Sequence, residues 1–288
     1  MRFYLGVSVW GNIGYLIKGV ARWGRVKVAR FFLCYPYLQW SERTLWRTLS
    51  QLRVCAEQVG FGLDSGAFVG RVKLNRKKTP PTIMDYATFL KDYGGLFELA
   101  TSWDYGDADE SLRAFLKLRD MGLRVAPVWR LGDDPKLLRF YCRETPTGWV
   151  AIGGFGMLGR HNAKMTPLFA ALKELIDAIK VECPDVKFHA LGCGLNTTLL
   201  RVWQPDSADS TTPLQSQRYG LLVHIKGGQV RRTWYRNLNP DDLPDGVDLL
   251  KFKQDSKLRS VVHAWCALKV TELINLKGAM DFASADER

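Results

Sequence analysis

Three aspartates follow or end strand-like apolar runs, where a barrel strand would present a carboxylate to a pocket: Asp64, Asp104 and Asp209. A carboxylate in such a position can attack carbon as a nucleophile, or take and return a proton. The residues after the first of them are small, and they leave room for a flat ligand beside the acid: Ser65, Gly66 and Ala67. We therefore expect the three carboxylates to face one site.

The elements that must position these acids follow a simple repeat. Short apolar segments alternate with helical patterns at least six times, and each segment ends in a glycine, an acid or another small residue. This alternation is typical of a parallel sheet. About eight such units in ~250 residues favour a closed α/β (β/α)8 TIM barrel over an open sheet. In such barrels the chemistry lies at the carboxyl ends of the strands, where the three acids and Gly153-Gly154 fall.

The pattern also predicts individual elements. Apolar runs at 29–37 and 123–131 are read as strands, and Asp107 is interpreted as the cap of the helix 109–121 rather than as a base contact. Beyond the repeat, two strand-like runs flank Gly227-Gly228, which predicts a β-hairpin. A final helix is predicted over 257–276, and the absence of a linker predicts one domain over 1–288.

The charge balance is strongly basic, because 41 Lys and Arg stand against 29 Asp and Glu and give a net charge of +12. This excess favours a polyanionic partner such as nucleic acid, although a basic enzyme without such a partner accounts for it equally well. The densest positive run covers 71–78, and the predicted hairpin is basic as well. The predicted nucleic-acid contacts are Arg71, Lys73, Arg76, Lys77, Lys78, Arg231 and Arg232.

The cysteines and histidines do not indicate a metal site or a secreted protein. None of the six cysteines pairs with another at CxxC or CxC spacing, which favours reduced thiols in a cytosolic protein. His161 and His189 lack metal-ligand spacing and are interpreted as structural or phosphate-facing. No signal peptide or membrane span is evident, so the expected location is the cytoplasm, or the host cytoplasm for a phage-encoded protein.

Four motifs in order across 60–212 resemble the tRNA-guanine transglycosylase superfamily. The stretch Asp64-Ser-Gly-Ala-Phe68 resembles its DSGGF motif, and Trp103-Asp104 with Gly106-Asp107 resembles its guanine-recognising acid. Ile152-Gly-Gly-Phe155 is similar to its base-cradling IGGL segment. The segment 190–194 followed by Asp209-Ser210 resembles its late strand and nucleophilic aspartate. The compact length and the form Ala-Asp-Ser-Thr at 208–211 most resemble the phage and bacterial branch, which inserts 7-deazaguanines into DNA.

The resemblance implies roles for these residues. Asp209 would attack C1′ of the nucleotide, Asp64 would act as general base, and Asp104 would accept hydrogen bonds from the N1–H and 2-amino group of guanine. The amides of Gly153 and Gly154 can approach a base closely because glycine has no Cβ. The other implied substrate contacts are Ser65, Gly66, Phe155 and Arg130, and the aromatic candidates to stack on an extruded base are Phe68, Trp103 and Phe155.

The chain also departs from the family. The CxCxxC…H zinc site of the bacterial tRNA enzymes has no match here, so we predict no structural zinc and no cofactor. Arg130 stands near the place of the family's base-reading glutamine, so it either reads a different 7-substituent or contacts phosphate. The chain has no room for an added RNA-binding domain, which favours DNA over tRNA.

The sequence therefore predicts a DNA-guanine transglycosylase whose partners are DNA and a 7-deazaguanine base such as preQ0, without a membrane partner. A homodimer stays open. The alternatives are the same exchange on tRNA, a non-catalytic nucleic-acid-binding subunit of such an enzyme, and an unrelated barrel hydrolase whose acids bind a metal.

Overall fold

The computed structural model describes residues 1–7, 13–38, 41–66, 81–155, 166–193 and 197–277. Its main sheet has eight parallel strands. They are β1 (Arg2–Gly6), β2 (Val26–Cys34), β3 (Ala56–Asp64), β4 (Leu99–Ala100), β5 (Val128–Arg130), β6 (Trp149–Gly153), β7 (Lys187–Ala190) and β8 (Ser207–Ser210). The strand order is β4-β3-β2-β1-β8-β7-β6-β5, as expected when each strand follows its predecessor around a ring.

Helices connect the strands and cover the outside of the sheet. In the described ranges they are α1 (Ile13–Trp23), α2 (Tyr35–Leu38), α3 (Glu42–Arg53), α4 (Ile83–Tyr93), α5 (Ala108–Asp120), α6 (Pro135–Glu144), α7 (Thr166–Glu182), α8 (Thr197–Val202), α9 (Thr212–Gln215), α10 (Leu249–Gln254) and α11 (Ser256–Lys277). Local signals set several boundaries. Asp107 caps α5 and exchanges hydrogen bonds with Glu110 in a capping box, so its interpretation as a helix cap is confirmed.

Two backbone hydrogen bonds join the edges of the sheet between β4 and β5. The Ala126 amide donates to the Ala100 carbonyl at 2.8 Å, and the Ser102 amide donates to the Ala126 carbonyl at 2.7 Å. Thr101 and Ala126 thereby form a parallel bridge. The predicted α/β (β/α)8 barrel is confirmed, and its closure rests on this short contact.

Two predicted strands have different bounds in the structure. The strand predicted over 29–37 begins at Val26 and ends at Cys34, because Tyr35 opens a short helix that accommodates Pro36 in its first turn. The strand predicted over 123–131 is reduced to Val128–Arg130. Pro127 precedes it and has no N–H to donate to a ladder, which limits regular pairing at this point.

A cluster of large side chains fills the inside of the ring. Tyr4, Phe32, Leu99, Ala126 and Trp149 pack together although they come from different parts of the sheet. Residues from opposite sides of a ring can meet only in its interior, so this cluster forms the floor beneath the carboxyl ends of the strands. A larger core lies between the sheet and the helices.

The carboxyl-terminal segment adds the predicted hairpin and helix, and both predictions are confirmed. Strands β9 (Leu221–Lys226) and β10 (Gln229–Trp234) pair antiparallel, and α11 packs against β1, β2 and β9. The Asn275 side chain accepts from the Phe3 amide at 3.1 Å and donates to the Phe3 carbonyl at 2.9 Å. The last helix is thus bound to the first strand.

Among the helices described, none has the length and apolar character that a bilayer crossing requires.

Candidate active site

Asp64 ends β3 and is the acid most affected by its surroundings. Burial above all, with a contribution from the negative charges of Asp209 and Asp104, raises its pKa to about 7. Hydrogen bonds from the Gly66 amide and the Thr101 hydroxyl act in the opposite direction. The structure therefore brings the three predicted acids close enough to influence one another. A carboxyl group with a pKa near neutrality can both donate and accept a proton at physiological pH.

Asp209 lies in β8 and is 7% exposed. Its Oδ1 atom accepts from the Gly192 amide at 2.5 Å and lies 3.3 Å from His189 Nε2. His189 is buried, and its Nδ1 atom lies 2.8 Å from the Ser207 hydroxyl. The tautomer with the proton on Nε2 satisfies both contacts. Both of these contacts fall on Oδ1, and no donor in the described part of the chain is bonded to Oδ2, which leaves that oxygen available to attack carbon.

The contact between His189 and Asp209 was missed by the sequence analysis, which took His189 as structural or phosphate-facing. The imidazole is packed inside the barrel, stacked on Phe32 with ring centroids 5.0 Å apart and edge-on to Tyr4 at 5.9 Å. His189 lies opposite Ser207 in the strand register, two residues before Asp209, and this register could not be read from the sequence. His189 therefore orients the candidate nucleophile rather than contacting phosphate.

Asp104 pairs with Arg130, which ends β5. The guanidinium donates to Asp104 Oδ1 and also to the Gly106 carbonyl at 2.6 Å and the Ser111 hydroxyl at 2.9 Å. The Ser111 hydroxyl lies 3.3 Å from the same carboxylate oxygen. No donor among the described residues is bonded to Asp104 Oδ2. The side chains of Arg130 and Asp104 are 20% and 21% exposed, so a ligand above the barrel can reach them.

This arrangement bears on the two interpretations of Arg130. A guanidinium with three partners at the end of β5 is held beside Asp104, and it is not extended toward solvent as a phosphate contact would be. Arg130 thus lies beside Asp104, and its contact with a base stays a prediction. Ser111, which orients the pair from α5, was not predicted from the sequence, because its side chain reaches the site only through the packing of that helix.

The remaining predicted base contacts lie along the same rim. Gly153 ends β6 opposite Arg130 in the strand register, and Gly154 follows it. Ser65 is buried, and its hydroxyl lies 3.5 Å from the Asp104 amide. Phe155 is 9% exposed and packs its ring against Phe169 and Trp203. Trp103, also 9% exposed, packs on Tyr86. Stacking of a base on these two rings stays a prediction, since most of their surface is used in the core.

Two cysteines close to the site are poor nucleophiles. Burial raises the pKa of Cys34 well above its ordinary value, and the charge of Asp64 adds to the effect. Burial also raises the pKa of Cys193, whose thiol lies 3.8 Å from the Asp209 carbonyl. A thiol that keeps its proton is unreactive. The carboxylates are therefore the nucleophile candidates, and none of the six cysteines forms a disulfide.

Gly66 supports the site through its backbone. Its φ of +66° lies in the left-handed region, and an added Cβ would overlap Pro36 and the Cys34 sulfur. Gly66→Ala should lower the free energy of unfolding by about 2–4 kcal/mol, from backbone strain and overpacking together. Gly122→Ala is the matched control, because Gly122 has a φ of +78° and open space around it, and should cost only about 1 kcal/mol. Urea denaturation of both variants measures the difference, and equal losses would contradict the tight packing.

The predicted nucleic-acid contacts are placed only in part. Arg71, Lys73, Arg76, Lys77 and Lys78 lie outside the described residues, as do Phe68 and His161. Arg231 and Arg232 are exposed on β10.

Lys277 at the end of α11 donates to the Gly228 carbonyl in the hairpin turn. Lys277 also lines a cavity of about 340 Å³ with Arg2 and Trp149, the first residues of β1 and β6.

The hairpin turn therefore lies toward the amino ends of the barrel strands, away from the three carboxylates. The contact of the hairpin residues Arg231 and Arg232 with a nucleic acid stays a prediction. Lys226, at the end of β9, is engaged in an ion pair with Asp242. No group of three or more His, Cys, Asp or Glu side chains within the described ranges is arranged to hold a metal ion.

Comparisons with known proteins inform the fold. No protein-family model and no curated protein matches the sequence. A putative fructose-1,6-biphosphate aldolase from Coccidioides immitis is similar in structure, with a TM-score of 0.51 and 12% identity, covering 95% of this chain and 89% of its own. The YdjI aldolase from Escherichia coli K12 gives a TM-score of 0.49 at 10% identity, with 96% and 90% covered. The first likeness supports the barrel, and the chemistry has to be argued from the site.

Proposed function

We propose that the protein exchanges guanine in DNA for a 7-deazaguanine base through a covalent aspartyl-glycosyl intermediate. The observation that supports the proposal is the placement of Asp64, Asp104 and Asp209 at or just beyond the carboxyl ends of the strands β3, β4 and β8, where the charges of Asp104 and Asp209 act on Asp64. Each acid has a different environment, which suits three different tasks. The basic net charge of +12 and the motif resemblance favour a nucleic-acid substrate.

In the first step, Asp209 Oδ2 attacks C1′ of the target deoxynucleotide and the C1′–N9 bond breaks. Guanine leaves with the bonding electron pair on N9, where it takes a proton. The Gly192 amide and His189 hold the other carboxylate oxygen in place. In the second step, N9 of the incoming base attacks C1′, loses its proton and releases the aspartate. The target nucleotide must leave the base stack to enter the site.

Asp64 is suited to move the proton in both steps. Its protonated form supplies the proton that the leaving guanine needs at N9, and the resulting carboxylate accepts the proton that the incoming base gives up. The two transfers balance, so that no further acid or base is consumed. A pKa of about 7 allows both states to be populated near neutral pH, which is the condition for efficient transfer in both directions.

Asp104 and Arg130 together match the edge of guanine. The free carboxylate oxygen of Asp104 can accept from the N1–H and the 2-amino group, while the guanidinium beside it can donate to the adjacent O6 atom. An acceptor next to a donor is the complement of this edge and mismatches adenine, which presents a donor and an acceptor in the opposite order. Because 7-deazaguanines keep the same edge, one pocket accepts both the leaving and the incoming base.

The direct test is nucleoside mass spectrometry of DNA incubated with the protein and a panel of 7-deazaguanines. The proposal expects 7-deazaguanine nucleosides in the DNA and an equal amount of free guanine in solution. A parallel incubation with tRNA separates the DNA substrate from the tRNA alternative. Absence of exchange in both nucleic acids, with protein shown to be folded, would overturn the proposal. Activity that depends on an added metal and yields no exchange would favour the hydrolase alternative.

The reading of the guanine edge gives a prediction for Arg130→Gln. Loss of a charged donor should raise KM for the incoming base by about 10- to 100-fold, because one hydrogen bond to a charged group contributes roughly 1.5–3 kcal/mol. Steady-state exchange with labelled guanine measures the effect. Arg139→Gln is the matched control, since Arg139 lies in α6 and pairs with Glu182 on the surface. An equal KM in both variants would contradict the assignment of Arg130 to the pocket.

A further inference from the structure

Two aromatic side chains are exposed at the open end of the β9–β10 hairpin. Tyr219 is 56% exposed and Trp234 is 45% exposed. Trp234 pairs with Leu221 in the strand register, and the Tyr235 amide donates to the Gly220 carbonyl at 2.8 Å. Tyr219 and Trp234 therefore belong to neighbouring chain segments. Large exposed aromatic side chains that lie close together often mark an interaction surface.

Three arginines belong to the same chain segments as these two rings. The Arg236 guanidinium lies 5.8 Å from the centroid of the Trp234 ring. Arg232 is two residues before Trp234 in β10 and so projects to the same side of the strand, and Arg218 directly precedes Tyr219. All three arginines are exposed, and none pairs with an acid within the described part of the chain. We name this set the aromatic–arginine surface: Arg218, Tyr219, Arg232, Trp234 and Arg236.

The surface is held firmly in place. Tyr235, between Trp234 and Arg236, turns inward, and its hydroxyl lies 2.7 Å from His263 Nε2 on α11. Its ring packs edge-on against Phe252 at 5.2 Å. The other nitrogen of His263 lies 3.3 Å from the Ser216 hydroxyl, which fixes the segment before Tyr219 to the same helix. Both aromatic segments are thus anchored to one point of α11.

The aromatic–arginine surface also belongs to the chain segment that follows β8, the strand that carries the candidate nucleophile. Asp209 is in β8, and the chain continues through α9 and a 3-10 turn over Ser216–Tyr219 before the hairpin begins. The open end of the hairpin is therefore the end nearer this connection. The turn at Gly227-Gly228 is at the opposite end, near Lys277.

From these observations we infer that the aromatic–arginine surface binds unpaired nucleotides of the DNA strand that carries the target base. Exposed rings accept stacked bases, and arginines without acidic partners contact the phosphates between them. The inference rests on the proposed function and adds a binding surface to it. A strand whose target nucleotide is extruded has unstacked neighbours, and this surface would hold them while the base is exchanged.

The test compares Trp234→Ala, Trp234→Phe and Trp46→Ala by fluorescence anisotropy with a labelled single-stranded oligodeoxynucleotide. Loss of one stacking contact should weaken binding by about tenfold in Trp234→Ala, since such a contact contributes roughly 1–3 kcal/mol. Trp234→Phe keeps a ring and should retain most of the affinity. Trp46 is a matched control, being 40% exposed on α3.

In Arg236→Gln the slope of the logarithm of the DNA-binding constant against the logarithm of the salt concentration should fall by about 0.7 in magnitude.

The outcomes separate this inference from the proposed function. If Trp234→Ala and Tyr219→Ala both bind the oligonucleotide with unchanged affinity, the inferred binding surface is wrong, even if the wild-type protein exchanges guanine. If both variants bind the oligonucleotide more weakly but the wild-type protein exchanges no base, the binding surface is supported and the enzyme assignment is wrong. The same measurement is made with a labelled RNA oligonucleotide. If Trp234→Ala weakens the binding of RNA but not of DNA, DNA is not the ligand of this surface.

Discussion

Asp209→Asn should reduce base exchange by about 10⁴-fold or more, because an amide cannot form the ester to C1′ on which the reaction depends. Asparagine has the same shape and can keep a carbonyl oxygen near the Gly192 amide and His189, so the fold should be retained. The measurement is twofold. Exchange is followed with labelled guanine, and the covalent intermediate is followed as a protein–DNA adduct on a denaturing gel after incubation without an incoming base.

Asp206→Asn provides the control for this prediction. Asp206 immediately precedes β8, and it accepts from the Phe188 amide at 2.9 Å and pairs with Lys180 near the amino ends of the strands. Its replacement should leave the adduct in place, because it is far along the strand from the reacting atoms. An adduct of wild-type yield in Asp209→Asn would exclude Asp209 as the nucleophile, and a shift of the cross-linked peptide to Asp64 would name its replacement.

Asp64→Asn should have two effects of opposite sign. Exchange should fall by about 10²- to 10⁴-fold, because the proton of the base has lost its carrier. Stability at about pH 8 should rise by roughly 1–4 kcal/mol, since one pKa unit corresponds to about 1.4 kcal/mol and the variant buries no ionised carboxylate. A gain in stability together with a loss of activity is the expected mark of a strained functional site.

The pH dependence of this stability gain follows from the direction of the shift. The pKa of Asp64 is raised from 3.8 to about 7 in the folded protein. Below pH 3.8 the carboxyl group is neutral in both states and contributes nothing. Between pH 3.8 and about 7 it is ionised only in the unfolded chain, so the stability of the wild-type protein falls as pH rises, and above that window the deficit is constant.

Urea denaturation of wild type and Asp64→Asn at about pH 4 and about pH 8 tests this expectation, since the difference in unfolding free energy should open between these values. Asp85→Asn is a control of opposite sign. Hydrogen bonds from the Thr82 amide and hydroxyl lower the pKa of Asp85, so its carboxylate stabilises the fold at both test pH values and loses this effect only as pH falls below 3.8. Asp85→Asn should therefore lower the stability by the same amount at both pH values. A pH-independent difference for Asp64→Asn would show that the pKa of Asp64 is not raised in the folded protein.

The sequence predicted the features that depend on local chemistry. The cap at Asp107 and the hairpin turn at Gly227-Gly228 each follow from a few adjacent residues, and both are present. The barrel followed from the repeat of apolar segments and helices. The bounds of β2 and β5 were mistaken because they depend on Pro36 and Pro127, whose effect on backbone pairing the apolar pattern does not register.

Contacts across the ring were less predictable than its strands. Arg130 and Asp104 are 26 positions apart in the sequence. Arg130 ends β5 and Asp104 follows β4, the two strands between which the barrel closes. The contact of His189 with Asp209 depends on the register of β7 and β8, which side-chain periodicity alone does not fix. Sequence reasoning could therefore name the acids, whereas the residues that orient them required the packed structure.

The position of β1 in the ring has a consequence for how the protein is made. The first strand pairs with β2 on one side and with β8 on the other, and α11 then binds Phe3 through Asn275. A nascent chain on the ribosome has Asp64 and Asp104 long before Asp209 is translated. The site of the three acids can be completed only after β8 has been translated, and a product truncated before α11 would leave β1 without its hydrogen bonds to Asn275.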